Sequence, residues 1–178
     1  MHIIRNAAWK ALTAAAVSLP LAGASLAADD TIKVGILHSL SGTMAISETT
    51  LKDVMLMLID EQNKKGGIKG KQIELKTLDD QGKPEEAAVA ATRLITQDKI
   101  TLLLGEVASS RSLAMAPIAD ANKVPMISPT STNPRVTKDG ANTRPYVFRA
   151  CFIDPFQGTV MAKFATEKKF KTVAVLKD

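Results

Sequence analysis

Short apolar runs alternate with longer amphipathic stretches along most of the chain. The apolar runs are typical of buried strands, and apolar residues three or four positions apart are typical of helices. Strands are predicted over residues 31–37, 72–78, 101–104, 124–127, 146–149 and 172–176. The clearest helical face lies between the first two strands and comprises Leu51, Val54, Met55, Leu58 and Ile59. Because strands and helices alternate, the pattern predicts an α/β fold with a parallel, Rossmann-like sheet and helices on both faces.

Individual residues predict where several of the helices begin and end. Thr49 or Thr50 is a suitable cap for the first helix, and the glycines at 66–67 are expected to end it. Pro84 suits the first turn of the second helix. Pro117 lies within the stretch predicted as the third helix, so it is expected to delay the start of that helix or to kink it.

The first 27 residues have the pattern of a secretory signal peptide and are not expected to join the fold. A weakly basic start with Arg5 precedes an Ala-rich apolar run over residues 11–22, and Ser25-Leu26-Ala27 forms a small-x-small cleavage pattern. The apolar run is too short to span a bilayer, and Pro20 interrupts it. The mature chain is therefore expected to be soluble and exported to the periplasm.

Charge and composition exclude some classes of partner. The formal net charge of +5 falls to +3 without Arg5 and Lys10, and the remaining charges are scattered without a block of one sign. Aromatic residues make up 4% of the chain, which is few for a base-stacking surface. Nucleic-acid binding is therefore not expected. Cys151 is the single cysteine, so no intrachain disulfide can form, and we expect it to be a small core residue.

Several residues that superficially suggest catalysis lack the surrounding pattern. The glycine-rich residues 66–71 do not have the spacing of a phosphate loop and follow a predicted helix. Ser109 lacks the Gly-x-Ser-x-Gly elbow of hydrolases, and nothing places His38 against it. Asp79 and Asp80 are interpreted as a solvated turn. No metal-ligand cluster and no cofactor are expected from these residues.

Three loops rich in hydroxyl groups and exposed backbone follow predicted strands. They comprise residues 39–47, 106–110 and 129–133. The carboxyl ends of parallel strands meet at one edge of a sheet, where open α/β sheets bind ligands. The second loop opens a helix, whose N-terminal N–H groups favour an anion, and Ser109 can both cap that helix and donate to a carboxylate. A small-ligand site is therefore predicted at this edge.

The order of short motifs along the mature chain resembles a known family. The motifs are Ile32-Lys33-Val34-Gly35, Leu40-Ser41-Gly42, Asn63-x-x-Gly66-Gly67-Ile68-x-Gly70, Asp79-Asp80, Gly105-x-x-x-Ser109-Ser110, Ile127-Ser128-Pro129-x-x-Thr132-Asn133-Pro134, Phe148-Arg149 and Gln157-Gly158. Together they resemble the periplasmic branched-chain amino-acid (leucine/isoleucine/valine) binding proteins of ABC importers. Residues 38–48 look more like the urea and short-chain-amide binding branch of that family.

The resemblance implies a type I periplasmic binding protein, in which two lobes close over the ligand. Residues 1–27 would be the signal peptide, residues 28–153 an incomplete N-terminal ligand-binding lobe, and residues 154–178 the start of a second lobe. Family members are longer than this chain and continue beyond its last residue. The chain is therefore expected to be a fragment or truncated product that carries about half of a site.

The resemblance also implies ligand-binding residues. Ser109 resembles the serine that donates to the ligand α-carboxylate, and Thr132 resembles the threonine that contacts the same head group. Thr130 occupies the position whose backbone carbonyl accepts from the α-ammonium, and Ser131 lies beside it. Ser47 falls where the amino-acid branch often has an aromatic residue over the ligand, so this position departs from the family pattern.

The implied function is capture of a branched-chain or related amino acid as the substrate-binding component of an ABC importer. The expected partners are the ligand and an inner-membrane permease, and the protein is expected to be a monomer and not an enzyme. Two alternatives stay open: a urea or short-chain-amide binding protein of the same family, and a ligand-sensing module for signalling. A hydrolase using Ser109 is the remaining rival.

Overall fold

The computed structural model describes residues 31–174. In chain order the elements are β1 (Ile32–His38), α1 (Ala45–Lys64), β2 (Ile73–Asp79), α2 (Pro84–Thr96), β3 (Leu102–Leu104), α3 (Ser109–Ala121), β4 (Met126–Ser128), a 3-10 helix (Pro134–Val136), β5 (Lys138–Asp139), β6 (Asn142–Thr143), β7 (Val147–Arg149) and α4 (Asp154–Glu167). The predicted signal peptide lies outside the described residues. Residues 172–174 are not in a strand, and the rest of the last predicted strand also lies outside the described part.

Five parallel strands form the main sheet, in the order β2-β1-β3-β4-β7. The chain steps from β1 to β2 and then crosses back over β1 to β3. Right-handed crossovers therefore place α1 on one face, and α2 and α3 together on the other. Strands β5 and β6 form a separate antiparallel pair. The predicted α/β class with a parallel sheet and helices on both faces is confirmed.

The core lies between the sheet and the face covered by α2 and α3. It combines small residues of the helices with large residues of the strands, including Ala87, Ala91, Leu94, Leu103, Met115 and Met126. The buried side chains of α2 include three alanines, which are small. The backbone of α2 can therefore pack close to α3 and to the sheet. The sheet is thereby held as a rigid base for the loops at its carboxyl edge.

The outer helices are much less buried than this core. On α1, the only buried side chain is that of Glu48, and the predicted apolar face is half-buried at best, with Val54 and Leu58 exposed. On α4 no side chain is buried. Cys151 is half-buried and is not part of the core, contrary to its predicted place. Among the described residues, none of the helices has the length and apolar character needed to cross a membrane.

Two local predictions about helix ends are wrong, and a third is wrong in one of its two alternatives. Helix α1 begins at Ala45, so Thr49 and Thr50 lie inside it and do not cap it. Helix α3 begins at Ser109 with Pro117 in its interior, so the proline does not delay the start of the helix. Ser109 does not cap α3 either, because Ala108 is the N-cap residue and no side chain bonds there.

Gly105 marks the point where β3 leaves the sheet. Its φ angle is +140°, and a Cβ atom there would lie 2.0 Å from the carbonyl oxygen of Leu37. Only glycine lets the chain pass so close to the end of β1 with this backbone conformation. The close approach brings the loop after β3 directly against the loop after β1.

Candidate functional site

The three predicted loops lie together at the carboxyl edge of the sheet. The strand register explains this, because His38 at the end of β1 is level with Asp79 at the end of β2, and Ser128 ends β4 level with Arg149. The first loop is shorter than predicted, since α1 takes up its last residues. Ser47 therefore lies in the first turn of α1, where it is exposed and its Oγ donates to the Met44 carbonyl at 3.1 Å.

The second and third loops are joined by hydroxyl groups. Ser131 is fully buried, and its Oγ lies 3.0 Å from the carbonyl oxygens of both Glu106 and Val107. Thr130 is exposed and donates to the same Val107 carbonyl at 3.1 Å. The Ser131 hydroxyl thus shapes the third loop from inside the lobe.

Ser109 and Thr132 retain hydroxyl groups that can reach a ligand. Ser109 is half-buried at the start of α3, and its Oγ accepts from the backbone N–H of Asn133 at 3.2 Å. Within residues 31–174 the structure shows no acceptor for its hydroxyl hydrogen. Thr132 is also half-buried, and its carbonyl accepts from the Asp154 N–H at 3.1 Å, while its Oγ1 has no bonded partner within the same range. Ser109 is the first residue of α3, beside the unpaired N–H groups that begin any α-helix, and its bond with the Asn133 N–H brings the residue after Thr132 to the same helix start.

Arg149 fixes the third loop from behind. Its guanidinium donates to the carbonyls of Ser131 at 2.8 Å and Asn133 at 2.9 Å, and to the carbonyl of Pro134 at 3.2 Å. A fourth bond, of 2.8 Å, goes to the hydroxyl of Thr137. A planar guanidinium can hold several carbonyls at once in this way, which a lysine cannot. The loop that carries Thr130 and Thr132 is therefore held to β7.

Beneath the loops lies a buried charged cluster that the sequence did not predict. It comprises His38, Glu48, Asp80, Glu106 and Arg111. The Arg111 guanidinium lies 2.8 Å from a carboxylate oxygen of Glu48, 2.8 Å from one of Glu106 and 3.8 Å from one of Asp80. His38 Nδ1 is 3.1 Å from the second Glu48 oxygen. The four conventionally charged members are thus three carboxyl groups around one permanent cation.

The interpretation of Asp79 and Asp80 as a solvated turn is wrong for Asp80. Its side chain is fully buried, and its Oδ1 accepts from the hydroxyl of Ser39 at 2.7 Å. Asp79 accepts from the backbone N–H of Leu40 at 2.9 Å and the hydroxyl of Ser41 at 2.7 Å. Both aspartates therefore hold the first loop in place.

The surroundings shift the pKa values of the two glutamates of the cluster in opposite directions. Burial raises the pKa of Glu48, but hydrogen bonds from His38, Glu106 and the Ser39 N–H, with the charge of Arg111, outweigh it and lower that pKa to about 2. Burial, the hydrogen bond with Glu48 and the charges of Glu48 and Asp80 raise the pKa of Glu106 to about 8. At pH 7 these shifts favour the protonated form of Glu106 and the ionised form of Glu48.

Arg111 supplies the positive charge that this cluster needs. Burial opposes its charged form, but the hydrogen bond with Glu106 and the charges of Glu106, Glu48 and Asp80 outweigh it and raise its pKa. One ligand atom each from His38, Glu48 and Glu106 lie within 4.8 Å of one another, a spacing that a metal ion could use. The Arg111 guanidinium already lies in contact with Glu48 and Glu106 at this place.

Comparisons with known proteins agree on one family. Residues 31–178 match the family described as periplasmic binding protein. The chain is 36% identical over 170 residues to the Leu/Ile/Val-binding protein BraC3 of Rhizobium johnstonii, covering 95% of this chain and 45% of that protein. The chain therefore spans less than half the length of such relatives.

Solved structures extend the agreement to the fold. The substrate binding protein LivJ of a branched-chain amino acid transporter from Streptococcus pneumoniae, in complex with isoleucine, superposes with a TM-score of 0.72 at 36% identity, over 78% of this chain and 38% of that one. A solute binding protein of an ABC transporter from Rhodopseudomonas palustris, in complex with 3,4-dihydroxy benzoic acid, superposes with a TM-score of 0.71 at 26% identity, over 80% and 38%. These relatives are binding proteins and not enzymes, and their class implies a periplasmic or extracellular location. With its parallel sheet, its loop-built edge and these matches, the chain belongs to the periplasmic binding protein family, among relatives that bind leucine, isoleucine and valine.

Proposed function

We propose that this chain forms the N-terminal half of a ligand site that captures a branched-chain or related amino acid for an ABC importer. The observation that carries the proposal is the half-buried Ser109 hydroxyl at the start of α3, which is bonded to the N–H of the residue after the half-buried Thr132. Neutral donors and helix N–H groups are suited to a carboxylate, because they stabilise it without a fixed counter-charge. An inner-membrane permease is the partner that this role requires, and the periplasm is its location.

The ligands of the two structural neighbours support a carboxylate as the shared feature. Isoleucine has an aliphatic side chain and 3,4-dihydroxy benzoic acid has an aromatic ring, but each carries one carboxylate. In this chain the Ser109 hydroxyl would donate to that group, and Thr132 would donate from the facing loop. The backbone carbonyl of Thr130 would accept from an α-ammonium. Ser131, being buried, would contribute through the shape of its loop.

Calorimetry on the full chain tests this assignment of the carboxylate. L-leucine and L-leucinamide differ only at that group, so the amide is expected to bind at least about tenfold more weakly, because a charge-assisted hydrogen bond contributes about 1.5–3 kcal/mol. Ser109→Ala is expected to remove most of that difference. Ser110→Ala is the matched control, since Ser110 is the exposed neighbour. Equal binding of leucine and leucinamide would reject carboxylate recognition.

One observation favours a second candidate, a urea or short-chain-amide ligand. Ser47 is small and exposed in the first turn of α1. The resemblance to the amino-acid branch implies an aromatic residue over the ligand at this position. A site without that cover is suited to a smaller ligand. Titration with urea and acetamide decides between the two: binding of either, without binding of leucine or valine, favours this candidate.

A further inference from the structure

Glu106 contacts all three loops of the proposed site, although it is fully buried and cannot touch a ligand itself. Its backbone carbonyl accepts from the hydroxyls of Ser112 at 3.1 Å, Ser128 at 2.7 Å and Ser131 at 3.0 Å. These three hydroxyls lie on α3, at the end of β4 and in the third loop. One carbonyl therefore fixes the third loop to the second.

The carboxyl group of Glu106 makes the remaining connections. Oε2 accepts from the backbone N–H of Ala108 at 2.8 Å, which fixes the residue immediately before α3. Oε1 lies 3.2 Å from both the N–H and the hydroxyl of Ser39, in the first loop. No other residue that the structure describes joins the first, second and third loops through one side chain and its own carbonyl.

The charges around Glu106 explain why its carboxyl group holds a proton. It faces His38 on β1, Glu48 on α1, Asp80 after β2 and Arg111 on α3, while β4 and the third loop present only hydroxyls. Ser39 N–H lies within hydrogen-bond distance of both Glu48, at 2.9 Å, and Glu106. Ionising both glutamates would place two negative charges within 4.8 Å of each other in a buried site, which favours the protonated form of Glu106. In that form Glu106 can donate a hydrogen bond to the ionised Glu48.

We propose that Glu106 is the positioning residue of the binding site, which holds the three loops together so that Ser109 and Thr132 are in place before a ligand arrives. The proposal rests on the function proposed above. A site whose donors are fixed beforehand does not have to order its loops on binding, and this ordering would otherwise reduce affinity. When Glu106 loses its proton it repels Glu48, and the first and second loops are expected to separate.

The test uses the full chain and L-leucine as the probe, with calorimetry at pH 6.5 and pH 9. The variant Glu106→Gln is neutral at both values and can keep the bonds to Ala108 and Glu48. We expect it to bind within about threefold of the wild type at pH 6.5 and to lack the extra loss of affinity that the wild type shows at pH 9. The ammonium group of leucine titrates in the same way in both experiments. Only the difference in leucine affinity between the wild type and Glu106→Gln is therefore interpreted. Parallel pH profiles would overturn the proposal.

Glu106→Ala removes the carboxyl connections and is expected to weaken leucine binding at least about tenfold at both pH values. The rescue by glutamine, and not by alanine, separates the positioning role from a general need for bulk at this position. Wild-type affinity in Glu106→Ala would overturn the proposal.

Hydrogen exchange separates failure of this proposal from failure of the proposed function. If the wild type binds no leucine, the function fails for that ligand, but the loops can still be examined without ligand. Glu106→Ala is expected to accelerate exchange in peptides from all three loops, 39–44, 105–110 and 128–133, and to leave the core helix α2 protected, whereas Glu106→Gln leaves all of them protected. An increase confined to residues 105–110, or an equal increase in α2, would overturn the positioning role.

Discussion

At the scale of single residues, Arg111 is the most consequential side chain beneath the site. It is 7% exposed and is the only permanent cation among three buried carboxyl groups. Taking charges out of water costs several kcal/mol per ion, and this cost is offset only while the partners remain in contact. The cluster is therefore expected to tolerate the loss of Arg111 very poorly.

Replacing Arg111 by methionine keeps much of the volume and removes the cation. We expect the free energy of unfolding to fall by about 3–5 kcal/mol, because Glu48 and Asp80 are left buried without their counter-charge. Urea denaturation followed by circular dichroism measures this. Arg93→Met is the matched control: Arg93 is 58% exposed and 3.9 Å from Asp98, so a loss of less than about 1 kcal/mol is expected. Equal losses in the two variants would contradict the role of the cluster.

Gly105 offers a second test at this scale, because it has a positive φ angle and also lies against the Leu37 carbonyl. Gly105→Ala is expected to destabilise the fold by more than Gly140→Ala, whose φ of +57° is also positive but which has open space around it. The control measures the cost of a left-handed φ near +57°, about 1 kcal/mol or somewhat more. The additional loss at Gly105 combines the clash with the Leu37 carbonyl and the greater strain of a side chain at φ +140°. Thermal unfolding of both variants provides the comparison, and equal shifts would show that the contact is not tight.

At the scale of elements, the strands were predicted far better than the helix starts. Each of the five strands of the main sheet matches a predicted strand, with ends that differ by no more than two residues. The inner strands are apolar at most positions because they are buried on both faces, and β2 at the edge alternates. Helix starts depend on single side chains, and here Met44 and Ala108 precede α1 and α3 without any side-chain cap. A search for Ser, Thr or Asp caps therefore placed the first start too late and assigned Ser109 the wrong local role.

The buried charged cluster could not be predicted for a different reason. His38 and Arg111 are 73 positions apart along the chain. They meet only because β1 pairs with β2 and β3 in the sheet, which brings the residues at the ends of these strands together. Periodicity reports where apolar residues are buried and treats every charged residue as solvated. Glu48 and Asp80 were accordingly assigned no role in the interior. One sequence feature could have indicated a buried acid. Glu106 lies directly after a buried strand and next to Gly105, where a solvated acid has no obvious place.

The third loop depends on an element outside it, which gives a prediction at this scale. Arg149→Lys keeps the charge on β7 but loses the planar fork that binds three carbonyls and a hydroxyl. We expect faster amide exchange over residues 129–137 and about tenfold weaker leucine binding, because Thr132 is no longer held in place. Arg135→Lys is the control, since Arg135 is exposed. Unchanged exchange in Arg149→Lys would show that β7 does not support the loop.

At the scale of the whole chain, the core and α4 make very different contributions. Leu94 is completely buried between α2, the sheet and α3, whereas Phe156 on α4 is 60% exposed. Leu94→Ala is expected to cost about 2–5 kcal/mol of unfolding free energy, through lost burial and the cavity left behind. Phe156→Ala is expected to change it by no more than about 0.5 kcal/mol. Urea titrations of the full chain make the comparison, and a large loss in Phe156→Ala would show that α4 is packed in solution.

The pH dependence of stability follows from the two glutamates, whose pKa shifts have opposite signs. The depressed pKa of Glu48, about 2 against a usual 4.5, favours the folded chain above pH 4.5, and this contribution is lost as the pH falls through 2. The raised pKa of Glu106, about 8, favours the folded chain below pH 4.5, and its contribution is lost as the pH rises through 8. Between pH 4.5 and 8, Glu106 alone therefore lowers the unfolding free energy by up to about 1.4 kcal/mol per pH unit.

Glu106→Gln measures the contribution of Glu106 to the pH dependence of stability, because all other titrating groups are common to the two proteins. Subtracting its urea-derived stability curve from that of the wild type is expected to give a difference that declines from pH 4.5 to 8 and is flat above and below. Glu48→Gln is expected to give the opposite slope between pH 2 and 4.5, because the hydrogen bonds from His38 and Ser39 stabilise the ionised form. It also removes the charge that raises the pKa of Glu106, so a second difference is expected between pH 4.5 and 8. A flat difference curve for Glu106→Gln would mean that the pKa of Glu106 is the same in the folded and the unfolded chain, so that Glu106 is ionised in the folded chain at pH 7.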